Sequence, residues 1–157
     1  MPAPSVKIRR ATVADAAKIT EFNLAMARET EDKTLDGAIA AEGARQGLSD
    51  PSRSLYFVAE VEGVVVGQTM ITTEWSDWRN GFFWWIQSVY VDPKHRRTGV
   101  FRGLHEHIRE AARAREDVCG LRLYVHHQNE RAMNTYRRLG MRQTEYLLCE
   151  EDWSCAR

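Results

Sequence analysis

The amino-acid sequence predicts a three-layer α/β domain, in which a mixed, mostly antiparallel sheet carries helices on both faces. Short runs of aromatic and β-branched residues recur along the chain between turn residues, which is typical of strands. Other segments have apolar residues at every third or fourth position, which is typical of amphipathic helices. The elements follow the order β-α-α-β-β-β-α-β-α-β, and this mixture of strands and helices favours a layered sheet.

The N-terminal third of the chain is predicted to contain one strand and two helices. Apolar and basic residues alternate over Val6–Arg10, which predicts a strand. The segment Thr12–Asp15 has the spacing of a capping box and predicts a helix that ends near Arg28. The acidic stretch Glu29–Asp36 has no periodic pattern and is predicted to be a loop. A weaker helix, interrupted by three glycines, is predicted to end at Leu48.

The remainder is predicted to form a hairpin, a long strand and four further elements. Leu55–Val61 and Val64–Thr73 flank a Glu-Gly turn, which predicts the hairpin. A loop over 75–81 precedes the long strand Phe82–Val91. An amphipathic helix follows from Gly99 to about Arg115. The last three predicted elements are a strand over Leu121–Val125, a helix over Glu130–Leu139 and a strand over Thr144–Cys149.

Composition narrows the classes of partner. A chain of 157 residues fits one domain, here 1–157, with a core of its own. The formal net charge is zero, so we expect no nucleic-acid or membrane partner. No apolar run is long enough to span a bilayer, and a cytoplasmic location is the default expectation. The three cysteines, Cys119, Cys149 and Cys155, lack metal-ligand spacing, so no metal site is predicted.

The segment Val89–Phe101 carries the strongest functional signal. A strand ends at a proline, a basic loop follows, and a helix begins at Gly99. The first turn of a helix has unpaired N–H groups and a partial positive charge, which favour an anion. Arg96, Arg97 and Arg102 add positive charge, so a pyrophosphate is the expected ligand. The alternative is a solvated basic turn between strand and helix.

Two motifs in this sequence resemble those of a known family. Arg96-Arg-Thr-Gly99-Val-Phe101 is similar to the Arg/Gln-x-x-Gly-x-Gly/Ala loop of the GNAT superfamily of N-acetyltransferases. It departs from that loop at Phe101, where Gly or Ala is usual. A second block resembles the family's Asn-x-x-Ala-x-x-x-Tyr-x-x-x-Gly-Phe pattern. Its matching residues are Asn129, Ala132, Tyr136, Gly140 and, in place of Phe, Met141.

The resemblance implies a GNAT-like fold and acetyl-CoA as co-substrate, without a metal. In the family, the pantetheine arm pairs with the end of the fourth strand, and the loop N–H groups hold the pyrophosphate. Asn129 would contact the pantetheine arm, and Tyr136 would lie near the thioester sulfur. A homodimer is a further family expectation. The implied cofactor-binding residues are Val89, Tyr90, Val91, Arg96, Arg97, Thr98, Gly99, Val100, Phe101, Arg102 and Asn129.

Acyl transfer to an amine needs a neutral nucleophile, donors for the oxyanion and a proton for the departing thiolate. Tyr136 is the candidate general acid; its alternative role is a core aromatic residue at helical spacing. The base is a weaker assignment, because residues 84–87 lack a carboxylate. Glu74 is the preferred candidate, acting through water. His126 and His127 are alternatives, and their side chains would point to opposite faces if the strand continued.

The acceptor is predicted from charge together with the resemblance, because in the family the region after the first strand helps to form the acceptor site. Six carboxylates precede the predicted cofactor strand and favour a small cationic amine, such as a polyamine, as acceptor. They are Glu29, Glu31, Asp32, Asp36, Glu74 and Asp77. The alternative to an enzyme is a non-catalytic module that senses acyl-CoA through the same loop, because Phe101 and the missing strand carboxylate depart from the family pattern.

Overall fold

Five strands form one sheet, and their order in space follows their order along the chain. The computed structural model describes residues 5–154. All neighbouring strands are antiparallel except the last pair, which is parallel, so the predicted mixed sheet is confirmed. The strands are β1 (Val6–Arg10), β2 (Leu55–Val61), β3 (Val64–Ser76), β4 (Gly81–Val91) and β5 (Val118–Arg122).

Four α-helices accompany the sheet. They are α1 (Ala16–Glu31), α2 (Gly37–Ser49), α3 (Val100–Arg113) and α4 (Glu130–Arg138), with short 3₁₀ turns over Val13–Asp15 and Pro93–His95. The chain divides into two compact units, of which the first ends at Leu123 and the second begins at Tyr124. The five strands and α1–α3 belong to the first unit, and α4 belongs to the second. That the two act as a single domain stays a prediction.

Helices cover both faces of the sheet in the first unit, as the sequence predicts. Alternate residues of β2 divide between two cores because successive side chains of a strand point to opposite faces. Phe57 and Ala59 pack in the core that contains α3 residues such as Leu104. Tyr56 and Val58 pack in the core that contains residues of α1 and α2.

The two N-terminal helices differ from their predicted bounds. α1 continues three residues past Arg28, to Glu31, so part of the predicted acidic loop is helical. It ends where Asp32 adopts φ 52°, a left-handed conformation that closes a helix. α2 is not interrupted at its glycines; a Cβ at Gly47 would lie 2.7 Å from Ser54 Oγ, so this glycine permits close packing.

Strand β3 of the hairpin and the parallel strand β5 also differ from their predicted bounds. β3 runs to Ser76, so the predicted loop over 75–81 is shorter. β5 occupies Val118–Arg122, three residues before the predicted Leu121–Val125, and pairs with residues 82–85 of β4. Gly120 explains this register, because a Cβ there would lie 2.8 Å from the ring of Phe83.

The predicted last strand, Thr144–Cys149, is wrong: this segment has no regular structure. A strand is stabilised by a neighbouring strand, and the sheet of the described residues ends at β5. Leu147 and Leu148 are accordingly 90% and 72% exposed. Cys149 and Cys119 are free thiols, and Cys155 lies outside the described residues. Between residues 5 and 154, no helix has the length and apolar character needed to cross a membrane.

An ion-pair network joins β1, β2 and the start of the first helix. Both terminal nitrogens of Arg9 donate to Asp15 at 2.8 Å, and its Nε donates to Glu60 at 2.7 Å. The backbone N–H of Thr12 also donates to Asp15, which confirms the predicted capping box. The Arg9 guanidinium holds the pKa of the Asp15 carboxyl below its ordinary value.

We expect Asp15→Asn to lower the free energy of unfolding at pH 7 by about 1–3 kcal/mol, because charged hydrogen bonds are lost. Since the folded-state pKa of Asp15 is depressed, its contribution is present above its unfolded pKa and disappears as pH falls through the folded pKa. Urea titrations below about pH 5 should therefore show a steeper loss of stability in wild type than in the variant. Parallel slopes would contradict this assignment.

Candidate functional site

The second half of β4 is paired on only one edge. β3 pairs with β4 along most of its length, from Gly81 to Val91. β5 pairs with β4 only between Phe82 and Trp85. Beyond Trp85, none of the strands in residues 5–154 covers the edge of β4 that faces away from β3. Its backbone is therefore available to an extended ligand that adds to the sheet by strand-like hydrogen bonds.

A β-bulge interrupts this half-open stretch. Met70 lies opposite Gln87 and Gln68 lies opposite Tyr90, so β4 has one more residue than β3 between the two pairs. Within the bulge, Ser88 adopts φ 50°, which is unfavourable for a residue with a side chain. The bulge thus fixes an irregular backbone in the middle of the open edge.

The peptide groups of the bulge have a defined direction. The carbonyl of Gln87 accepts from Thr69 Oγ1 at 3.3 Å, and that of Ser88 accepts from Gln68 Nε2 at 3.1 Å. In a trans peptide, the N–H points away from the carbonyl of the preceding residue. The N–H groups of Ser88 and Val89 therefore point away from these β3 side chains. An N–H group turned away from the neighbouring strand is suited to bind an oxygen that carries negative charge.

The loop after β4 leads to a helix N-terminus without a side-chain cap. Gly99 precedes α3 with φ 90° and offers no acceptor to the first-turn N–H groups. Apart from Gly99 and its two chain neighbours, no described residue has a heavy atom within 4 Å of the position that a Cβ at Gly99 would occupy, so a ligand has room there. Arg97, with φ 66°, has no ion-pair partner within residues 5–154. This N-terminus has the features of an anion site.

Arg96 is held by protein groups on both sides. Its Nε donates to the carbonyl of Val91 at 2.9 Å, and its Nη2 donates to Glu29 at 2.7 Å. The Tyr90 hydroxyl donates to the other oxygen of Glu29 at 2.8 Å. The pKa of Glu29 is held low, chiefly by the hydrogen bond from Arg96, and burial raises the pKa of Tyr90 to about 12. Glu29 therefore anchors the loop to α1.

The other predicted loop residues differ in which of their groups a ligand can contact. Val100 is 1% exposed, so only its backbone can contact a ligand. Thr98 donates its hydroxyl to the carbonyl of His95 and so stabilises the loop itself. Arg102 is exposed and pairs with Glu106. Phe101, where the family motif has a small residue, lines a small apolar recess with Val89 and three α3 residues.

The second unit holds the other two predicted residues on one helix. Asn129 caps α4 by accepting the N–H of Ala132 at 3.1 Å, which leaves its amide nitrogen for a ligand. Tyr136 lies seven residues further, about two turns along, on the same side of α4. Burial raises the pKa of the Tyr136 hydroxyl to about 12, so it is protonated at neutral pH.

The candidate bases Glu74, His126 and His127 each contact another side chain in the structure. Glu74 pairs with Arg122, whose guanidinium lies 3.6 Å from the centroid of the Phe83 ring. Glu74 lies opposite Phe83 in the sheet, about 15 Å along β4 from the bulge. His126 and His127 follow the end of β5, and their rings stack at 4.7 Å instead of pointing to opposite faces. The condition for opposite faces, a strand that continues through these residues, is not met because the strand ends at Arg122.

Sequence reasoning missed the bulge and the side chains that hold it, namely Gln68, Thr69 and Ser88. A bulge depends on the register between two strands, so no local motif marks it. The available signal was the pair of polar residues, Gln68 and Thr69, in the otherwise apolar first half of the strand. In the described part of the chain, no cluster of three or more His, Cys, Asp or Glu has a metal-binding arrangement.

We expect Glu29→Gln to loosen the loop, because an amide keeps a partner for Tyr90 but loses the charge that holds Arg96. Hydrogen exchange at residues 93–99 should accelerate, while the free energy of unfolding changes by less than about 1 kcal/mol, as for other exposed pairs. Glu31→Gln is the matched control, since Glu31 pairs with Lys33. Equal exchange in both variants would show that Glu29 does not anchor the loop.

Comparison with known proteins agrees with this geometry. The model of the acetyltransferase (GNAT) family matches residues 18–141. A possible acetyltransferase from Clostridium difficile 630 is 42% identical, with 94% of this chain and 97% of that chain covered and a TM-score of 0.89. No curated protein matches the chain.

More distant solved structures share the fold. A ribosomal-protein-alanine N-acetyltransferase from Brucella melitensis biovar Abortus 2308 is 17% identical, with a TM-score of 0.75 over 94% of this chain and 99% of that chain. An aminoglycoside acetyltransferase from an uncultured soil metagenomic sample, in complex with sisomicin, is 17% identical, with a TM-score of 0.74 over 94% and 95%. The family match and the 42% identical structure lead to one conclusion: the chain belongs to the GNAT family of acetyltransferases.

Proposed function

We propose that this protein transfers the acetyl group of acetyl-CoA to a primary amine. The observation that carries the proposal is the half-open β4 beside the uncapped N-terminus of α3. An open strand edge favours an extended ligand with amide groups, and a helix N-terminus favours an anion. The pantetheine arm and the pyrophosphate of CoA combine these two properties in one molecule.

In this proposal the backbone does most of the binding. The backbone groups along Val89–Val91 that face away from β3 pair with the pantetheine amides, and the N–H groups from Gly99 to Arg102 hold the pyrophosphate. Arg97 adds its charge to the phosphates. Arg96 shapes the loop through Glu29, since both of its hydrogen bonds go to protein groups. Asn129 is assigned to the pantetheine arm from the family motif.

The bulge and Tyr136 supply the chemistry. The N–H groups of Ser88 and Val89 donate to the thioester oxygen as it gains negative charge, and one such donor contributes about 3 kcal/mol to transition-state stabilisation. Tyr136, assigned from the family motif, donates a proton to the departing thiolate. Its pKa of about 12 keeps that proton in place at neutral pH. The amine must lose its own proton before it attacks, so activity should rise with pH.

The chemical class of the acceptor amine is a further part of the same proposal. A small cationic amine was predicted from six carboxylates, and four of them have other partners: Glu29 with Arg96, Glu31 with Lys33, Glu74 with Arg122, and Asp36 at the N-terminus of α2. The cationic preference stays a prediction, as does Glu74 as the base. A homodimer is also proposed on family resemblance, and the cytoplasmic location stays the default expectation from the sequence.

We expect the charge at position 99 to control acetyl-CoA binding. Gly99→Asn and Gly99→Asp have the same size and tolerate a positive φ similarly, but only Asp places a negative charge beside the pyrophosphate. Gly99→Asp should weaken binding by about tenfold or more relative to Gly99→Asn. Calorimetry measures the two affinities, and equal affinities would mean that the loop does not hold the pyrophosphate.

The activity itself is tested by following thiol release from acetyl-CoA with a panel of cationic, neutral and anionic amines. We expect turnover with at least one primary amine, and faster turnover as pH approaches the pKa of that amine. Binding of acetyl-CoA without turnover of any amine would favour the non-catalytic sensor. A panel in which neutral or anionic amines react fastest would remove the cationic preference alone.

With the best amine of that panel, Tyr136→Phe should lower kcat by about a hundredfold, because only a proton donor is removed. The dissociation constant of acetyl-CoA should stay near wild type. In wild type, activity should not fall from loss of the Tyr136 proton below about pH 10, since its pKa is about 12. A fully active Tyr136→Phe enzyme would leave Tyr136 as a packing residue.

A further inference from the structure

Two buried polar side chains of β3 hold the bulge of β4 from opposite faces of the sheet. Gln68 is 0% exposed and Thr69 is 1% exposed. As neighbours on a strand they point to opposite faces, yet both donate to successive carbonyls of the bulge, those of Ser88 and Gln87. Each bulge carbonyl therefore has its own donor.

The Gln68 amide also ties the bulge to α1. Its Nε2 donates to Asn23 Oδ1 at 2.7 Å as well as to the Ser88 carbonyl. Its Oε1 is buried and has no hydrogen-bond partner among the described residues. A buried acceptor without a donor destabilises the folded state. Stability alone therefore does not account for glutamine at this position.

The bulge itself needs support. Ser88 has φ 50°, which is unfavourable for a residue other than glycine. Such a backbone persists only where its surroundings hold it. The two donors from β3 supply that support and determine the direction of the Ser88 and Val89 N–H groups.

We propose that Gln68 and Thr69 are positioning residues, which hold the strained bulge so that the Ser88 and Val89 N–H groups meet the reacting carbonyl oxygen. Asn23 orients the Gln68 amide from α1. Neither side chain is exposed to a ligand, so both act through the β4 backbone. The inference rests on the proposed acetyl transfer, because Gln68 and Thr69 position N–H groups whose proposed role is to stabilise the oxyanion of that reaction.

Thr69→Val provides the sharpest test, since it removes the hydroxyl and keeps the shape. A displacement of the N–H groups by a fraction of an ångström should lower kcat about tenfold to a hundredfold. The acetyl-CoA dissociation constant should stay near wild type, because the α3 N-terminus is unchanged. Thr69→Ser, which keeps the hydroxyl, should restore most of the activity.

Thr72→Val is the matched control on the same strand. Thr72 Oγ1 contacts the side chain of Gln87 and not a bulge carbonyl, so kcat should stay within about twofold of wild type. Gln68→Met should resemble Thr69→Val in kcat. If Gln68→Met does not fold, the backbone amide resonances of Ser88 and Val89 in Thr69→Val still report the conformation of the bulge. We expect both resonances to shift.

The outcomes separate the two proposals. If wild type acetylates no amine, the proposed function fails, and unshifted Ser88 and Val89 resonances in Thr69→Val would then overturn the positioning role as well. If wild type is active and Thr69→Val matches Thr72→Val in kcat, the positioning role is overturned and the acetyltransferase proposal stands. A loss of kcat that Thr69→Ser restores supports the inference.

Discussion

The pairing of β4 on a single edge beyond Trp85 is the constraint from which the rest of the site follows. β5 pairs with β4 for four residues of the eleven-residue strand, and its register depends on the absence of a Cβ at Gly120 beside Phe83. Because β5 separates there, the backbone of β4 remains open up to the loop that begins α3. The bulge at Ser88 lies within this open stretch, so no described strand pairs with it on the side away from β3.

The two arginines of the loop between β4 and α3, Arg96 and Arg97, have different surroundings. The guanidinium of Arg96 is bound by Glu29 and by the carbonyl of Val91, whereas Arg97 and the first-turn N–H groups of α3 have no such partner among the described residues. Of two adjacent arginines, one therefore sets the loop geometry and the other is available to phosphate. The C-terminal extension of α1 to Glu31 makes this possible, since it brings Glu29 to the loop on a rigid helix.

Local patterns predicted the elements well where neighbouring residues decide the outcome. β1 and β2 have the predicted bounds, and the capping box at Thr12 starts its helix as expected. Predictions failed where a distant partner decides. The Thr144–Cys149 segment has a strand-like composition but no strand beside it, and Gly120 sets the β5 register through Phe83. The motif residues of the loop were accessible to sequence reasoning, whereas Gln68, Thr69 and the bulge arise from the β3–β4 register.

The most direct measurement of the central claim is a map of backbone amide resonances with and without acetyl-CoA. The account predicts the largest changes at residues 88–91 and at 99–102, the open edge of β4 and the first turn of α3. The resonances of Arg79 and Asn80 in the β3–β4 turn, at the opposite end of β4 from residues 88–91, should be unchanged. Saturable binding whose changes lie elsewhere, with residues 88–91 and 99–102 unaffected, would contradict it.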